Sequence, residues 1–204
     1  MPDAEPTEAA RRPGGRTARI RMQVVDAVRA ELAEGGHVGL TMERVASRAG
    51  VHRATVYRRW RDVGGLLADV IAAAGEGPWL PPDTGSLRGD LISLNQEVQD
   101  SLVARPSLPL ALMAASFHSE QAARAQTQLW SDRYSECEII VSRSLDRGEL
   151  PVGRIDARSL LIAATAPVYH HLVLLRADLD PHLPERAADA ACAAAAAGVF
   201  STEE

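Results

Sequence analysis

The spacing of apolar residues along this 204-residue chain predicts helices throughout. Over residues 17–34, Ile20, Val24, Val28 and Leu32 recur every four positions, as apolar side chains do on one face of a helix. Comparable repeats, separated by glycine, proline or short polar breaks, continue along the chain, and no run alternates as a β-strand would. The pattern therefore predicts an all-α fold.

Two short helices separated by a glycine follow the first one. Thr41 is a good N-cap for the earlier helix, because its hydroxyl can accept a hydrogen bond from the amide of Arg44. Gly50 stands where that helix must end, and we expect it to adopt a positive φ. The later helix turns Val56 and Trp60 inward. The apolar face of the earlier helix consists of Met42, Val45, Ala46 and Ala49.

The outward face of the later helix is rich in hydrogen-bond donors. The arginine guanidinium can donate two hydrogen bonds to a guanine edge or a phosphate, and threonine and tyrosine hydroxyls donate to phosphate oxygens. Two short helices around a glycine, with such a face, indicate a DNA-reading helix-turn-helix; a solvated basic helix on a globular surface is the alternative. The outward residues are His52, Arg53, Thr55, Tyr57, Arg58 and Arg59.

One segment resembles the DNA-binding domain of the tetracycline-repressor (TetR) family of bacterial transcription regulators: T-M-E-R-V-A-S-R-A-G-V-H-R-A-T-V-Y-R-R-W, followed by Leu66 and Leu67. From Ala111 to Phe200 the resemblance is looser and lies in the layout of the helices. It implies an N-terminal three-helix helix-turn-helix domain and a C-terminal helical bundle for regulation and dimerisation. It also implies a homodimer on double-stranded operator DNA, more often a repressor than an activator.

The resemblance implies a role for each residue of the motif. Thr41 and Arg44 would contact backbone phosphate. His52 and Arg53 would meet base edges, and Ala54 a thymine methyl group. The remaining outward residues would divide between phosphate and base, and they are Thr55, Tyr57, Arg58 and Arg59.

The sequence departs from the family at the start of the fourth helix. Members often have a phosphate-binding lysine there, whereas this chain has Val63, followed by Gly64 and Gly65. Asp62 is a plausible N-cap for this helix. The first amides of the helix are still expected to face a phosphate, without the help of a positive side chain.

The charge of the chain is unevenly distributed. The whole chain carries a net charge of −5, which by itself argues weakly against a nucleic-acid partner. Residues 1–61 carry +5 and the remainder −10. The basic N-terminal part, which we call the head, attracts phosphates. The acidic remainder, the body, keeps the protein soluble and weakens its binding to non-specific DNA.

The N-terminus is expected to be an arm without regular structure. Residues 1–16 are rich in proline, glycine and small polar residues, which predicts disorder. Arg11, Arg12 and Arg16 would give such an arm the charge to enter a minor groove, and a plain flexible terminus is the alternative.

Breaker residues also mark a domain boundary. Residues 17–75 are expected to form the DNA-binding domain, with helices 1–4. The cluster GEGPWLPPDTG over residues 75–85 separates it from a ligand-binding and dimerisation domain over residues 84–204. The helices predicted in this second domain cover residues 87–102, 108–117, 120–147, 156–177 and 183–199.

The last two predicted helices favour a homodimer. Helix 8 is apolar nearly all round and carries Pro167, which should kink it, and helix 9 has a small-residue face from Ala187 to Ala197. One chain of this size cannot easily cover both, and in the family the corresponding helices form a four-helix interface. A monomer with helix 8 as its central core helix is the alternative.

The resemblance also implies a pocket for a small-molecule effector between helices 4 and 8. A mostly apolar wall would suit a flat or greasy molecule. Aromatic and methionine residues at helical spacing are more often ordinary core, which is the alternative for each of these residues. A DNA-binding dimer without small-molecule control is the alternative function. The candidate wall residues are Trp79, Met113, Phe117, His118, Trp130, Tyr134, Tyr169 and His170.

Other functional classes find little support in the sequence. Adjacent His170 and His171 point about 100° apart on a helix, which makes a poor chelate, and Cys137 and Cys192 are too few and too widely separated for a zinc site or a disulfide framework. No nucleophile, paired acid or phosphate loop indicates an enzyme, a bound metal or a cofactor. Without an apolar leader or membrane span, we expect a cytoplasmic protein.

Overall fold

The computed structural model describes residues 15–36, 38–75, 79–151 and 153–202. Regular structure in these ranges is almost entirely helical, which confirms the all-α prediction. The helices are α1 (Gly15–Gly35), α2 (Met42–Ala49), α3 (Arg53–Trp60), α4 (Val63–Gly75), α5 (Leu87–Val103), α6 (Leu108–Ser116), α7 (Glu120–Asp146), α8 (Ala157–Tyr169) and α9 (Leu183–Ala196). A π-helical segment, His170–Leu174, continues α8. The short strands β1 (Arg154–Ile155) and β2 (Ser201–Thr202) pair antiparallel.

The first hydrophobic core lies beneath the helix-turn-helix. It joins Val28 of α1, Val45 of α2, Val56 of α3 and Leu67 of α4, all of them fully buried. Leu112 of α6 belongs to the same core, so α6 and the start of α7 support α2 and α3 from behind. This core therefore extends across the predicted domain boundary.

The second core fills the body of the molecule. Leu91 of α5, Ile140 of α7 and Leu160 of α8 are completely buried in it. Helix α9 contributes the small side chains Ala188 and Ala195, which let it approach α5 and α8 closely. The body is thus a bundle of α5, the later part of α7, α8 and α9.

The end of helix 8 differs from the prediction. A single kinked helix was expected over residues 156–177, but the α-helix ends at Tyr169 and the chain continues in π-helical form. Pro167 has no amide hydrogen to donate to the preceding turn. The backbone hydrogen bonds then span five residues instead of four, and the amide of Leu175 donates to the carbonyl of His170 at 2.9 Å.

Two smaller expectations are corrected as well. Gly15 and Arg16 form the first turn of α1, so they do not belong to the predicted arm. The rest of that arm, with Arg11 and Arg12, lies outside the described residues. No strand was expected, yet β1 and β2 pair: each has only two residues, which is too short for an alternating pattern to reveal.

Two kinds of feature are absent from the described ranges. None of their helices is both long and apolar enough to cross a membrane. The same residues hold no group of three or more histidine, cysteine, aspartate or glutamate side chains placed to bind a metal ion.

Candidate DNA-binding surface and cavities

Local capping interactions set the angle between α2 and α3. The Thr41 hydroxyl accepts a hydrogen bond from the Arg44 amide at 3.2 Å, as expected for an N-cap. Gly50 ends α2 with a φ of 63°, a left-handed conformation that costs glycine little. His52 then caps α3, because its Nδ1 accepts from the Ala54 amide at 3.3 Å. The predicted helix-turn-helix is therefore present.

Helix α3 presents a polar face to solvent while its apolar side is anchored. Val56 and Trp60 are buried, as predicted, and Thr55 is half-buried. The remaining outward residues are exposed, and we call them the reading face: His52, Arg53, Ala54, Tyr57, Arg58 and Arg59. Six neighbouring exposed residues, three of them arginine, give α3 a cationic surface suited to phosphates and base edges.

A carboxylate on α2 holds two residues of the reading face. The Tyr57 hydroxyl donates to Glu43 Oε1 at 2.6 Å, and Arg53 Nη2 forms an ion pair with the same oxygen at 2.5 Å. The Arg53 guanidinium also lies 5.3 Å from the centre of the Tyr57 ring. The hydrogen bond from Tyr57, helped by the Arg53 charge, lowers the pKa of Glu43. Both side chains are thus held on the outside of α3.

Arg44 makes a structural contact that the sequence did not suggest. Its Nε donates to Glu31 Oε2 at 2.5 Å, and Arg48 donates to the other oxygen of the same carboxylate at 2.5 Å. Glu31 lies on α1 and is 3% exposed. Hydrogen bonds from Arg48 and, to a smaller extent, from Arg44 lower its pKa. The signal in the sequence was the position of Glu31, an acidic residue on the apolar side of α1, which requires a basic partner such as Arg44. The Arg44 side chain remains 51% exposed.

The end of α3 is fastened to α1 and α4. Trp60 Nε1 donates to Asp69 Oδ2 at 2.9 Å, and Arg21 Nε donates to Asp69 Oδ1 at 2.7 Å. Arg59 lies over the Trp60 ring and donates to the carbonyl of Thr17 at 3.2 Å. The first turn of α1 therefore lies beside the reading face and adds exposed arginines to the same surface. These arginines are Arg16 and Arg19.

The start of α4 is occupied by a carboxylate. Asp62 Oδ1 accepts from the Gly65 amide at 2.8 Å, which confirms Asp62 as the cap. Both oxygens of Asp62 also accept from the Ser119 hydroxyl, at 3.0 and 3.1 Å. A phosphate approaching these amides would meet a negative charge, which argues against the phosphate contact expected there. Gly64 has no room for a Cβ beside Ser119, so α4 and α7 touch closely here.

The body contains two cavities that share an aromatic wall. Cavity A has a volume of about 300 Å³ and lies between Ile71, Leu94, Leu129 and Tyr169, thus between α4, α5, α7 and α8. Cavity B is wider, at about 550 Å³, and lies between α6, α7, α8 and the π-helical segment. Trp130 and Tyr169 line both. Their rings meet edge to face with centres 5.0 Å apart.

Six of the eight predicted wall residues line these two cavities. Trp79, Trp130 and Tyr169 line cavity A. Cavity B is lined by Met113, Tyr134 and His170 together with the two shared aromatic residues. Phe117 and His118 line neither, which corrects their assignment: both are exposed at the end of α6, and Phe117 is 83% exposed.

The wall of cavity A also contains charged residues that were not predicted from the sequence. Arg133 and Glu97 both line it, and neither stands in a recognisable motif. The Trp79 indole donates to Glu97 Oε2 at 2.9 Å, while the Arg133 guanidinium lies 4.0 Å from the centre of the Trp79 ring. These contacts join residues far apart in sequence, so helix periodicity alone could not reveal them. Burial in the same wall raises the pKa of the Tyr169 hydroxyl.

A helix-turn-helix with an exposed cationic reading helix, set on a helical body, defines a DNA-binding transcription regulator. Two family models match the chain: "Bacterial regulatory proteins, tetR family" over residues 24–70, and "Tetracyclin repressor-like, C-terminal domain" over residues 81–191. The second covers more than half of the sequence. The chain therefore belongs to the TetR family of bacterial transcriptional regulators.

Individual relatives agree with this assignment. The HTH-type transcriptional regulator AqdR of Rhodococcus erythropolis is 29% identical over 186 residues, which span 90% of this chain and 88% of AqdR. YdeS of Bacillus subtilis, an uncharacterized HTH-type transcriptional regulator, is 21% identical over 145 residues, or 70% of this chain and 73% of YdeS.

Solved structures share the fold. The TetR family transcription regulator SCO0332 superposes with a TM-score of 0.68 at 24% identity, covering 86% of this chain and 97% of that protein. Salmonella enterica GusR gives a TM-score of 0.61 at 18% identity, covering 95% and 99%. At these identities the likeness concerns the fold alone.

Proposed function

We propose that this regulator binds an inverted-repeat operator as a homodimer, represses transcription from it, and is released by a small-molecule effector. The observation that carries the DNA-binding part is the exposed reading face of α3, held in place by Val56 and Trp60. Helix-turn-helix dimers read two half-sites one helical turn apart, about 34–36 Å. Repression follows the habit of the family, in which a bound dimer blocks the polymerase.

Within this proposal, α3 lies in the major groove. His52 and Arg53 meet base edges at its N-terminal end, where recognition helices make such contacts, and Ala54 meets a thymine methyl group. Thr41 at the start of α2 contacts backbone phosphate. Arg44 also reaches phosphate, through the part of its guanidinium that Glu31 leaves free.

The remaining outward residues serve mainly to hold the phosphate backbone. Tyr57 does so with its hydroxyl, which must exchange Glu43 for a phosphate oxygen. Arg58 is exposed and forms no ion pair with any described residue, so it reaches DNA at little cost. Arg59, which also donates to the Thr17 carbonyl, and the half-buried Thr55 make the remaining contacts to the phosphate backbone.

The homodimer forms through α8 and α9. These helices pack on each other, and each leaves small or apolar residues exposed on its outer side. A second copy of the chain would cover these residues and remove their apolar surface from water, which is favourable. We call this the apolar surface: Ile162, Ala163 and Ala166 of α8 with Ala190, Ala193 and Ala196 of α9. Ile162 and Ala166 also line cavity B, so this cavity opens beside the proposed interface.

Effector control acts through the cavities. Volumes of about 300 and 550 Å³ fall at the lower end of the range for small-molecule sites, which supports ligand control over the alternative without it. In this proposal the dimer has one conformation in which its two helix-turn-helix units fit the operator and another in which they do not. An effector that binds the second conformation more tightly lowers operator occupancy, by an amount set by the difference in its affinity for the two.

The contact between α4 and α7 is the route that we propose between cavity and head. Cavity A is lined by Ile71 of α4 and Leu129 of α7. At the other end of the same pair of helices, Asp62 accepts a hydrogen bond from Ser119. A ligand that shifts α4 against α7 would therefore move the end of α4 that follows the reading helix.

Ser119→Ala tests this route. The variant loses the contact to Asp62 and also the cap of α7, so Ser107→Ala, which loses the similar cap of α6, is the matched control. We expect Ser119→Ala to keep effector binding but to release operator DNA less completely than Ser107→Ala. Equal release from both variants would contradict the route.

Selection of bound sequences from random DNA duplexes tests the proposed function itself. The expected result is a palindromic consensus whose half-sites are about one helical turn apart. A consensus without two-fold symmetry would contradict the homodimer, and the absence of any enriched sequence would contradict operator recognition.

A further inference from the structure

Arg133 of α7 places a charged donor in the wall of cavity A. Its Nη1 is buried and hydrogen-bonds to no described residue. Glu136 Oε2 lies 3.3 Å from this nitrogen and forms an ion pair with it, but the two atoms lack hydrogen-bond geometry. A buried charged N–H without an acceptor is costly, and an acceptor supplied by a ligand would remove that cost.

The surroundings of Arg133 are flat and aromatic. The guanidinium lies over the Trp79 ring, at 4.0 Å from its centre, and the indole N–H of Trp79 is directed to Glu97. Trp130 and Tyr169 line the cavity with rings at 89° to each other. Such walls favour a planar aromatic molecule, which can stack on one ring and meet the edge of another.

We propose that cavity A binds a planar aromatic acid, whose carboxylate accepts hydrogen bonds from Arg133 while its rings lie among Trp79, Trp130 and Tyr169. The inference rests on the proposed ligand control and deepens it by naming the chemistry of the effector. Arginine and carboxylate match because the guanidinium fork donates two parallel hydrogen bonds to two oxygens.

Glu97 does not reverse this preference, although it carries the opposite charge. Its side chain is exposed and its carboxylate already accepts from Trp79, so water screens much of its charge. The Arg133 side chain is 32% exposed as a whole, but its Nη1 is buried, where a charge interacts more strongly with a ligand. Glu136, which pairs with this nitrogen, is 51% exposed and does not line cavity A. The net selectivity of the cavity is therefore set by Arg133.

Titration with a matched pair of probes tests the proposal. Naphthalene-2-carboxylate and naphthalene-2-carboxamide have nearly the same shape and differ in charge. Binding to the full chain without DNA is measured by calorimetry and by quenching of tryptophan fluorescence. We expect the wild-type protein to prefer the carboxylate by about 10- to 100-fold, the range for a hydrogen bond to a charged group.

Two variants separate the role of Arg133 from a general effect of charge. Arg133→Met keeps much of the side-chain length and should bind both probes equally. Arg158→Met is the matched control, because Arg158 also lies over an aromatic ring, that of Tyr134, but lines neither cavity. It should keep the wild-type preference. Arg133→Lys, which keeps the charge without the fork, should give an intermediate preference.

Several outcomes would overturn the proposal: no binding of the carboxylate, equal binding of the two probes by the wild type, or a preference that survives in a folded Arg133→Met protein. The proposed function can fail separately. If the carboxylate binds as expected yet operator affinity is unchanged, ligand control by this site is wrong and the site itself stands. If the carboxylate fails to bind while a neutral compound binds and releases DNA, the aromatic acid is wrong and ligand control stands.

Discussion

Two exposed surfaces of this protein have opposite chemistry. The reading face on α3 is polar and cationic, with Arg53 and Arg58 in solvent. The apolar surface on α8 and α9 consists of alanine and isoleucine, and Ile162 is 42% exposed. Both surfaces stand on tightly packed helices, so neither is a by-product of loose folding.

The difference indicates what each surface is suited to contact. Phosphates attract a cationic face over long range, and the strength of that attraction falls with added salt. A face of small apolar side chains offers no such attraction and gains only when another apolar surface covers it. Substitutions can therefore impair one contact while leaving the other intact.

The largest effect is expected from a charge on the apolar surface. Ala193→Arg places a long cation where a partner helix would approach, and it should turn the dimer into a monomer. Operator affinity should then fall by about 100-fold or more, since the two heads no longer bind together. Sedimentation and operator titration measure the two effects. Thr127→Arg, on an exposed position of α7, is the control and should leave both unchanged.

If Ala193→Arg remains dimeric, the apolar surface is not the interface. If it becomes monomeric but binds the operator as tightly as the wild type, the two heads do not act together.

The next largest effect concerns a single residue of the reading face. Arg53→Ala should weaken operator binding by about 1–3 kcal/mol and blur the preference for one base. Binding isotherms on operator and random duplexes measure this difference. Arg88→Ala is the control, because Arg88 is equally an exposed arginine in an ion pair, with Asp189, but lies on α5. Equal losses on both duplexes would show that Arg53 holds phosphate and reads no base.

Beneath the reading face, Glu31 should stabilise the head in a pH-dependent way. Its pKa is lowered in the folded protein, so its contribution is present above the unfolded value near 4.5 and is lost as the pH falls through the folded value. Glu31→Gln should cost about 1 kcal/mol at pH 7, since both arginine partners are partly exposed.

Thermal unfolding between pH 7 and pH 3 measures this contribution. The difference between wild type and Glu31→Gln should shrink as the solution is acidified below pH 4.5. Glu34→Gln, which loses an exposed carboxylate paired with Arg48, serves as the control. A difference that is constant over the whole range would mean that the ionised Glu31 does not stabilise the head.

The smallest effect is expected from Glu43. Its carboxylate holds Arg53 and Tyr57 and must yield to phosphate when DNA binds. Glu43→Gln removes the charge but keeps an acceptor for the Tyr57 hydroxyl. The variant should therefore bind operator and random duplexes a few-fold more tightly, and to the same extent. Weaker binding to the operator alone would instead make Glu43 a residue that positions Arg53 for its base.

The sequence was most informative where the determinants of structure are local. The N-cap at Thr41, the left-handed Gly50 and the buried Val56 all belong to one short segment, and each was predicted from its neighbours. The family resemblance rests on the same segment. Fold class and the location of the reading face therefore followed from the sequence.

Features that depend on distant contacts were not predicted. The pairing of Glu31 with Arg48, the link between Asp62 and Ser119, and the position of Arg133 in cavity A all join separate helices. For the same reason, six of the eight expected wall residues line the cavities, while Phe117 and His118 lie outside both. Helical spacing places an aromatic residue on a face but does not say whether another helix covers that face.

The central claim is that two reading faces, fixed by one dimer, bind two half-sites together. The most direct test compares the selected operator with duplexes in which five base pairs are inserted between its half-sites. Half a helical turn places the second site on the opposite side of the DNA, so we predict that affinity falls to that of a single half-site. Undiminished affinity for the lengthened operator would contradict the claim.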